Sequence, residues 1–163
     1  MRILDRLPYD ETRLDNIQTK DLTGNEGPEF PRALLPAVKE AWIAAPNEVD
    51  VMIKVKVLLD TGNDLTIVNP QIVRELERSL ETSGSFIPMC RKVKYYDNGL
   101  FEDAFELTLT LPGGYQYSSQ IGFVAANRPY EQWDVWLGQD FFERFVVTFD
   151  GPAQTITVDE PKS

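Results

Sequence analysis

Val57-Leu58-Leu59-Asp60-Thr61-Gly62-Asn63-Asp64-Leu65-Thr66-Ile67-Val68 sets an aspartate at the end of one apolar run and just ahead of another. Upstream, Val49, Val51, Ile53, Val55 and Val57 alternate with Asp50, Met52, Lys54 and Lys56. A period of two predicts a half-buried strand that runs into Asp60. A carboxylate at the end of a buried strand is costly unless its surroundings compensate. Thr61 offers a hydroxyl, and Gly62 lets backbone approach closely. A carboxylate held in this way is a candidate for acid–base chemistry.

Elements can be read outward from this stretch. Asn69-Pro70 predicts a helix start, because Asn caps well and Pro fits the first turn. Ile72, Val73, Leu76 and Leu80 then share one helical face, and Ser83-Gly84-Ser85 ends the helix. Residues 93–111 predict a long hairpin turning at Asp97-Asn98-Gly99. Pro112-Gly113-Gly114 marks a second turn, and residues 115–126 predict another strand. Asp134-Val135-Trp136-Leu137-Gly138 predicts a short apolar strand ending in glycine. A short helix over 139–145 follows, with Phe141, Phe142 and Phe145 inward. Val146–Phe149 and Thr155–Val158, around Asp150-Gly151-Pro152, predict a closing hairpin.

Composition narrows the chemistry. The 163 residues suit one domain with a short extension, with 42% hydrophobic and 26% charged residues. The formal net charge of -10 argues against a nucleic-acid partner, which needs clustered Lys and Arg. The chain has no histidine and one cysteine, Cys90. A Ser-His-Asp or Cys-His catalytic set is therefore excluded, as is a histidine or thiolate zinc site. A lone cysteine gives no sign of an oxidising compartment. Residues 1–16 carry four acids and three arginines rather than the apolar core of a secretory signal. The apolar-rich segment 33–45, broken by Pro36, Lys39 and Glu40, is too short and charged for a membrane span. Cytoplasmic location is the default expectation.

Many short strands with regular turns predict an all-β fold, a barrel carrying one or two short helices. Residues 1–32, rich in turn formers and acids, predict an N-terminal extension, partly irregular, ahead of a domain over 33–163.

The stretch 57–68 resembles the catalytic loop of retropepsin-like aspartic proteases. Val135-Trp136-Leu137-Gly138-Gln139-Asp140-Phe141-Phe142 resembles that family's second signature, two apolar residues and Gly before a short helix. The closing hairpin is similar to that of bacterial members. The resemblance covers residues 49–159 and implies a closed acid-protease barrel working as a homodimer on a peptide or protein substrate. It implies that Asp60 is catalytic, that the two Asp60 carboxylates share a proton and activate a water, and that no cofactor or metal is needed. Thr61, Gly62 and Asn63 would support the loop, with Thr61 bonding across the dimer. Trp136, Leu137 and Gly138 would form the second signature. Tyr96, Asp97, Asn98 and Gly99 would be the flap that closes over substrate, and Tyr95 or Tyr96 would line the cleft.

Asn63 departs from the family's Ala, Ser or Thr. Its amide is expected to donate to the carboxylate. The same departure keeps open a weak or inactive module that uses the fold for dimerisation or peptide binding. Asp64 is expected to make a structural or substrate main-chain contact. Capping and the helix dipole are expected to account for Asp140. An oxygen-ligated metal hydrolase is a third reading, although no acidic cluster resembles its sites. Residues 28–47 are expected to supply an interface strand, a cleft plug, a self-cleavage site or a strand on the barrel.

Overall fold

The computed structural model describes residues 1–9, 16–31, 34–48, 50–82, 84, 87–94, 99–127 and 133–162. The chain is mostly β-sheet. Its first strand, β1 (Arg2–Pro8), is followed by β2 (Ala37–Ala44), β3 (Met52–Leu59) and β4 (Ile67–Val68). Helix α1 (Pro70–Glu81) comes next, then β5 (Met89–Val93), β6 (Glu102–Phe105), β7 (Thr108–Thr110), β8 (Gln116–Tyr117) and β9 (Phe123–Ala125). Strand β10 (Val135–Leu137), helix α2 (Gln139–Phe142), β11 (Val146–Asp150) and β12 (Thr155–Asp159) complete it.

Nine strands form one sheet in the order β5-β6-β9-β4-β10-β3-β2-β7-β8, curled into a half-barrel. Its edges are β5 and β8, and no ladder joins them among the described residues. The other three form a smaller sheet, β1-β12-β11. Strand β3 lies near the middle of the large sheet. Val55, Val57 and Leu59 face the main core, while Leu58 faces a second cluster with Ile67, Trp133 and Trp136. Burial on both faces explains why the alternation of β3 gives way to a continuous apolar run at its end.

Strand β10 is lodged between β3 and β4. It runs parallel to β3, with Val135 opposite Val57 and Leu137 opposite Leu59, and antiparallel to β4. The two strands that flank the Asp60 loop are thus held apart by a third strand from far along the chain. Helix α1 starts as the sequence predicts. Asn69 accepts from the Gln71 N–H, Pro70 takes the first position, and Ile72, Val73, Leu76 and Leu80 are buried.

Within residues 1–32, β1 pairs with β12 and buries Ile3 and Leu4. The structure departs from the sequence reading in three places. The long hairpin over 93–111 is cut in two: β5 and β6 pair together, whereas β7 leaves to pair with β2 and β8. The strand expected over 115–126 is also two strands. Gly122, at φ 97, turns the chain between them where a Cβ would lie 2.5 Å from Cys90 Sγ and 3.0 Å from the Phe105 carbonyl. Helix α2 ends at Phe142, short of Phe145. The closing hairpin is observed as β11 and β12, and part of segment 28–47 is strand β2 of the large sheet.

Candidate active site

Asp60 is half-buried at the C-terminal end of β3. Its backbone N–H donates to the Leu137 carbonyl at 3.0 Å, which fixes it to β10. The Gly62 N–H donates to Oδ1 at 3.0 Å, and Asn63 Nδ2 donates to Oδ2 at 3.0 Å. Both carboxylate oxygens therefore receive a donor from the tight turn that follows. A Cβ on Gly62 would lie 3.2 Å from Oδ1, so a small residue suits that position. Asn63 is 4% exposed, and its amide donates to the carboxylate as its position in the sequence suggests.

The second signature clamps this turn from behind. The Gln139 N–H donates to the Asn63 carbonyl at 2.8 Å, and Gln139 Nε2 donates to the Thr61 carbonyl at 2.6 Å. The Asp140 N–H donates to the Asp64 carbonyl at 3.3 Å. Gly138 is required by contact: a Cβ there would lie 2.5 Å from the Leu65 carbonyl oxygen and 2.9 Å from that of Asn63. Trp136 and Leu137 are buried in β10. At its other end β10 is tied down by Asp134, whose carboxylate accepts the Lys56 N–H at 2.8 Å. Burial pushes the Asp134 carboxyl above the usual range, against that hydrogen bond.

Capping does not account for Asp140, contrary to the expectation from the sequence. Its carboxylate accepts Thr66 Oγ1 at 2.8 Å and Ser119 Oγ at 2.9 Å, and no side chain caps α2. Thr66 is fully buried and also accepts the Gly138 N–H at 3.3 Å. Beside this group lies the buried Tyr117, its ring packed edge-on to Phe141 and beneath the Arg144 guanidinium. Its hydroxyl is pushed up to about 12, first by burial and then by the negative charge of Asp140. The Thr66 and Ser119 hydroxyls moderate that shift, but neither meets the phenol oxygen in hydrogen-bond geometry.

The structure thus brings together Asp60, Gly62, Asn63 and the residues 136–138. Thr61 contributes its carbonyl, and its side chain is exposed, as is Asp64. Tyr95, Tyr96, Asp97 and Asn98 lie outside the described residues; Gly99, on the β5–β6 connection, is exposed with φ 77. Gln139, Thr66 and Ser119 escape a reading of the sequence alone. Thr66 carries a usable signal, because a hydroxyl amid Leu65, Ile67 and Val68 must find partners when buried. Among the described residues, no group of three or more Cys, Asp or Glu is placed to hold a metal. No helix among them is long and apolar enough to cross a membrane. No protein-family model matches the chain, and no curated protein matches it significantly.

Proposed function

We propose that this chain is one half of a retropepsin-like aspartic endopeptidase, active as a cytoplasmic homodimer. The observation that carries the reading is the Asp60 carboxylate at the end of a buried strand, with a donor on each oxygen and its loop fastened to the second signature. One Asp-Thr-Gly per chain makes half a site, so a second copy supplies the other carboxylate. Two such carboxylates about 3 Å apart share one proton. One takes a proton from a bridging water as it attacks the peptide carbonyl, and the other protonates the carbonyl oxygen. Exposed Thr61 is free to bond across the two-fold axis. Closure of a flap over the bound substrate, the role the resemblance assigns to the hairpin tip that includes Gly99, would exclude bulk water from the reaction.

A second reading is supported by Asn63. Its amide occupies an oxygen of Asp60 that a reacting water would also approach. On this reading the chain binds peptide as a dimer without cutting it. Incubation with a peptide library separates the two. Cleavage that Asp60→Asn abolishes supports the endopeptidase, whereas peptide binding without cleavage supports the second reading. A chain that stays monomeric at every working concentration would count against both.

A further inference from the structure

We infer that Asp140 is a positioning residue for the Asp60 loop, acting through Thr66 and Gly138 rather than on substrate. The inference rests on the reading that Asp60 is the reacting group.

An ionised carboxylate only accepts hydrogen bonds, so it dictates where its partners' protons point. Thr66 must aim its single proton at Asp140 Oδ1, 2.8 Å away. That orientation leaves an oxygen lone pair for the Gly138 N–H at 3.3 Å. Gly138 then starts α2, accepting from the N–H groups of Phe141 and Phe142. The first turn of α2 holds the carbonyls of Thr61, Asn63 and Asp64. Asn63, fixed by its backbone, delivers its amide to Asp60. The bonds of Thr66 to Asp140, of Gly138 to Thr66 and of the first turn of α2 to the loop carbonyls each join segments far apart in sequence.

Ser119 adds a third segment. It sits between β8 and β9 and donates to the second oxygen of Asp140 at 2.9 Å. Arg144, just beyond α2, donates to the neighbouring Ser118 carbonyl at 3.3 Å. One carboxylate thus joins the end of the Asp60 loop, the β8–β9 connection and α2. The helix dipole alone requires none of these partners. An apolar residue at 140 would keep the helix but free the Thr66 hydroxyl to rotate away from Gly138. Asparagine keeps both partners: its carbonyl accepts from Thr66, and its amide donates to the Ser119 hydroxyl.

The test compares Asp140→Ala, Asp140→Asn and Thr66→Val with wild type. Two properties are read: kcat and KM on a peptide the wild type cleaves, and amide hydrogen exchange in residues 61–66 and in α1. Asp140→Ala is expected to lower kcat by about 10- to 100-fold with KM little changed, as misplacement of a reacting group does. Exchange in 61–66 should rise while α1 stays protected. Asp140→Asn should restore both properties, and Thr66→Val should reproduce the alanine result even if Asp140→Ala does not fold. Unchanged exchange in 61–66 would overturn the inference. So would equal acceleration in α1, or an asparagine variant as impaired as alanine, which would point to charge instead of geometry. A wild type that cleaves nothing would defeat the protease reading alone, and the exchange comparison would still decide the role of Asp140.

Discussion

At the scale of single residues, Asn63 and Tyr117 place opposite demands on polar groups. Asn63 spends its amide on the Asp60 carboxylate. Asn63→Ala removes that donor and is expected to lower kcat on a peptide the wild type cleaves, because the carboxylate is held less firmly; steady-state kinetics in which kcat is unchanged would refute this. Tyr117 buries a hydroxyl that lacks a hydrogen bond of good geometry among the described residues. Its folded-state pKa, near 12, lies above the ordinary value of 10. The stability it contributes is fully present below pH 10 and is lost as pH rises towards 12. Phenylalanine keeps the ring and loses only the unpartnered hydroxyl, so Tyr117→Phe should cost almost nothing at pH 8, whereas wild type should lose stability relative to the non-titrating variant by pH 11.5 in urea titrations. Equal losses in the two proteins would rule that out.

At the scale of elements, the β10–α2 junction is where the site is assembled. Gly138→Ala would drive a Cβ into the Leu65 and Asn63 carbonyls. Because those are backbone atoms, relief requires the loop itself to shift. A loss of about 1–3 kcal/mol in unfolding free energy is expected, together with reduced cleavage. Thermal and chemical melts of the variant check the first, and a peptide assay checks the second. This junction also shows what a sequence reveals and what it conceals. Helix α1 was legible because its cap, its proline and its apolar face are local signals. So were β3, β10 and the closing hairpin, each a short apolar or alternating run between turn residues. The splitting of 93–111 and 115–126 was not legible, because alternation says which face is buried and not which strand is the partner. Gly122 bends its segment at a positive φ, where a side chain would run into Cys90, 32 positions earlier, and no local pattern contains that neighbour. In the site, Asp60, Asn63 and Gly138 stand out by type and spacing. Gln139, Thr66 and Ser119 act through partners that only the fold brings near.

At the scale of the whole molecule, the N-terminal strand belongs to the folded body. Leu4 is 2% exposed, whereas Leu22 stands fully in solvent. Leu4→Ala is expected to cost about 2–5 kcal/mol, whereas Leu22→Ala should fall within about 0.5 kcal/mol of wild type. Urea titration of both variants checks the contrast, and a Leu4 variant as stable as wild type would detach β1 from the core. The lodging of β10 between β3 and β4 governs order in time as well as in space. Strands β3 and β4 flank a short loop, yet they cannot zip together as a hairpin, because the gap between them is filled by residues 135–137. Such distant pairing forms late in folding. A ribosome adding about 5–20 residues per second delivers Asp60 several seconds before its clamp exists. Through that interval the aspartate is an unsupported loop residue on a nascent chain. The strand order is thus a timer: the carboxylate acquires its supporting frame only after nearly the whole domain has been made.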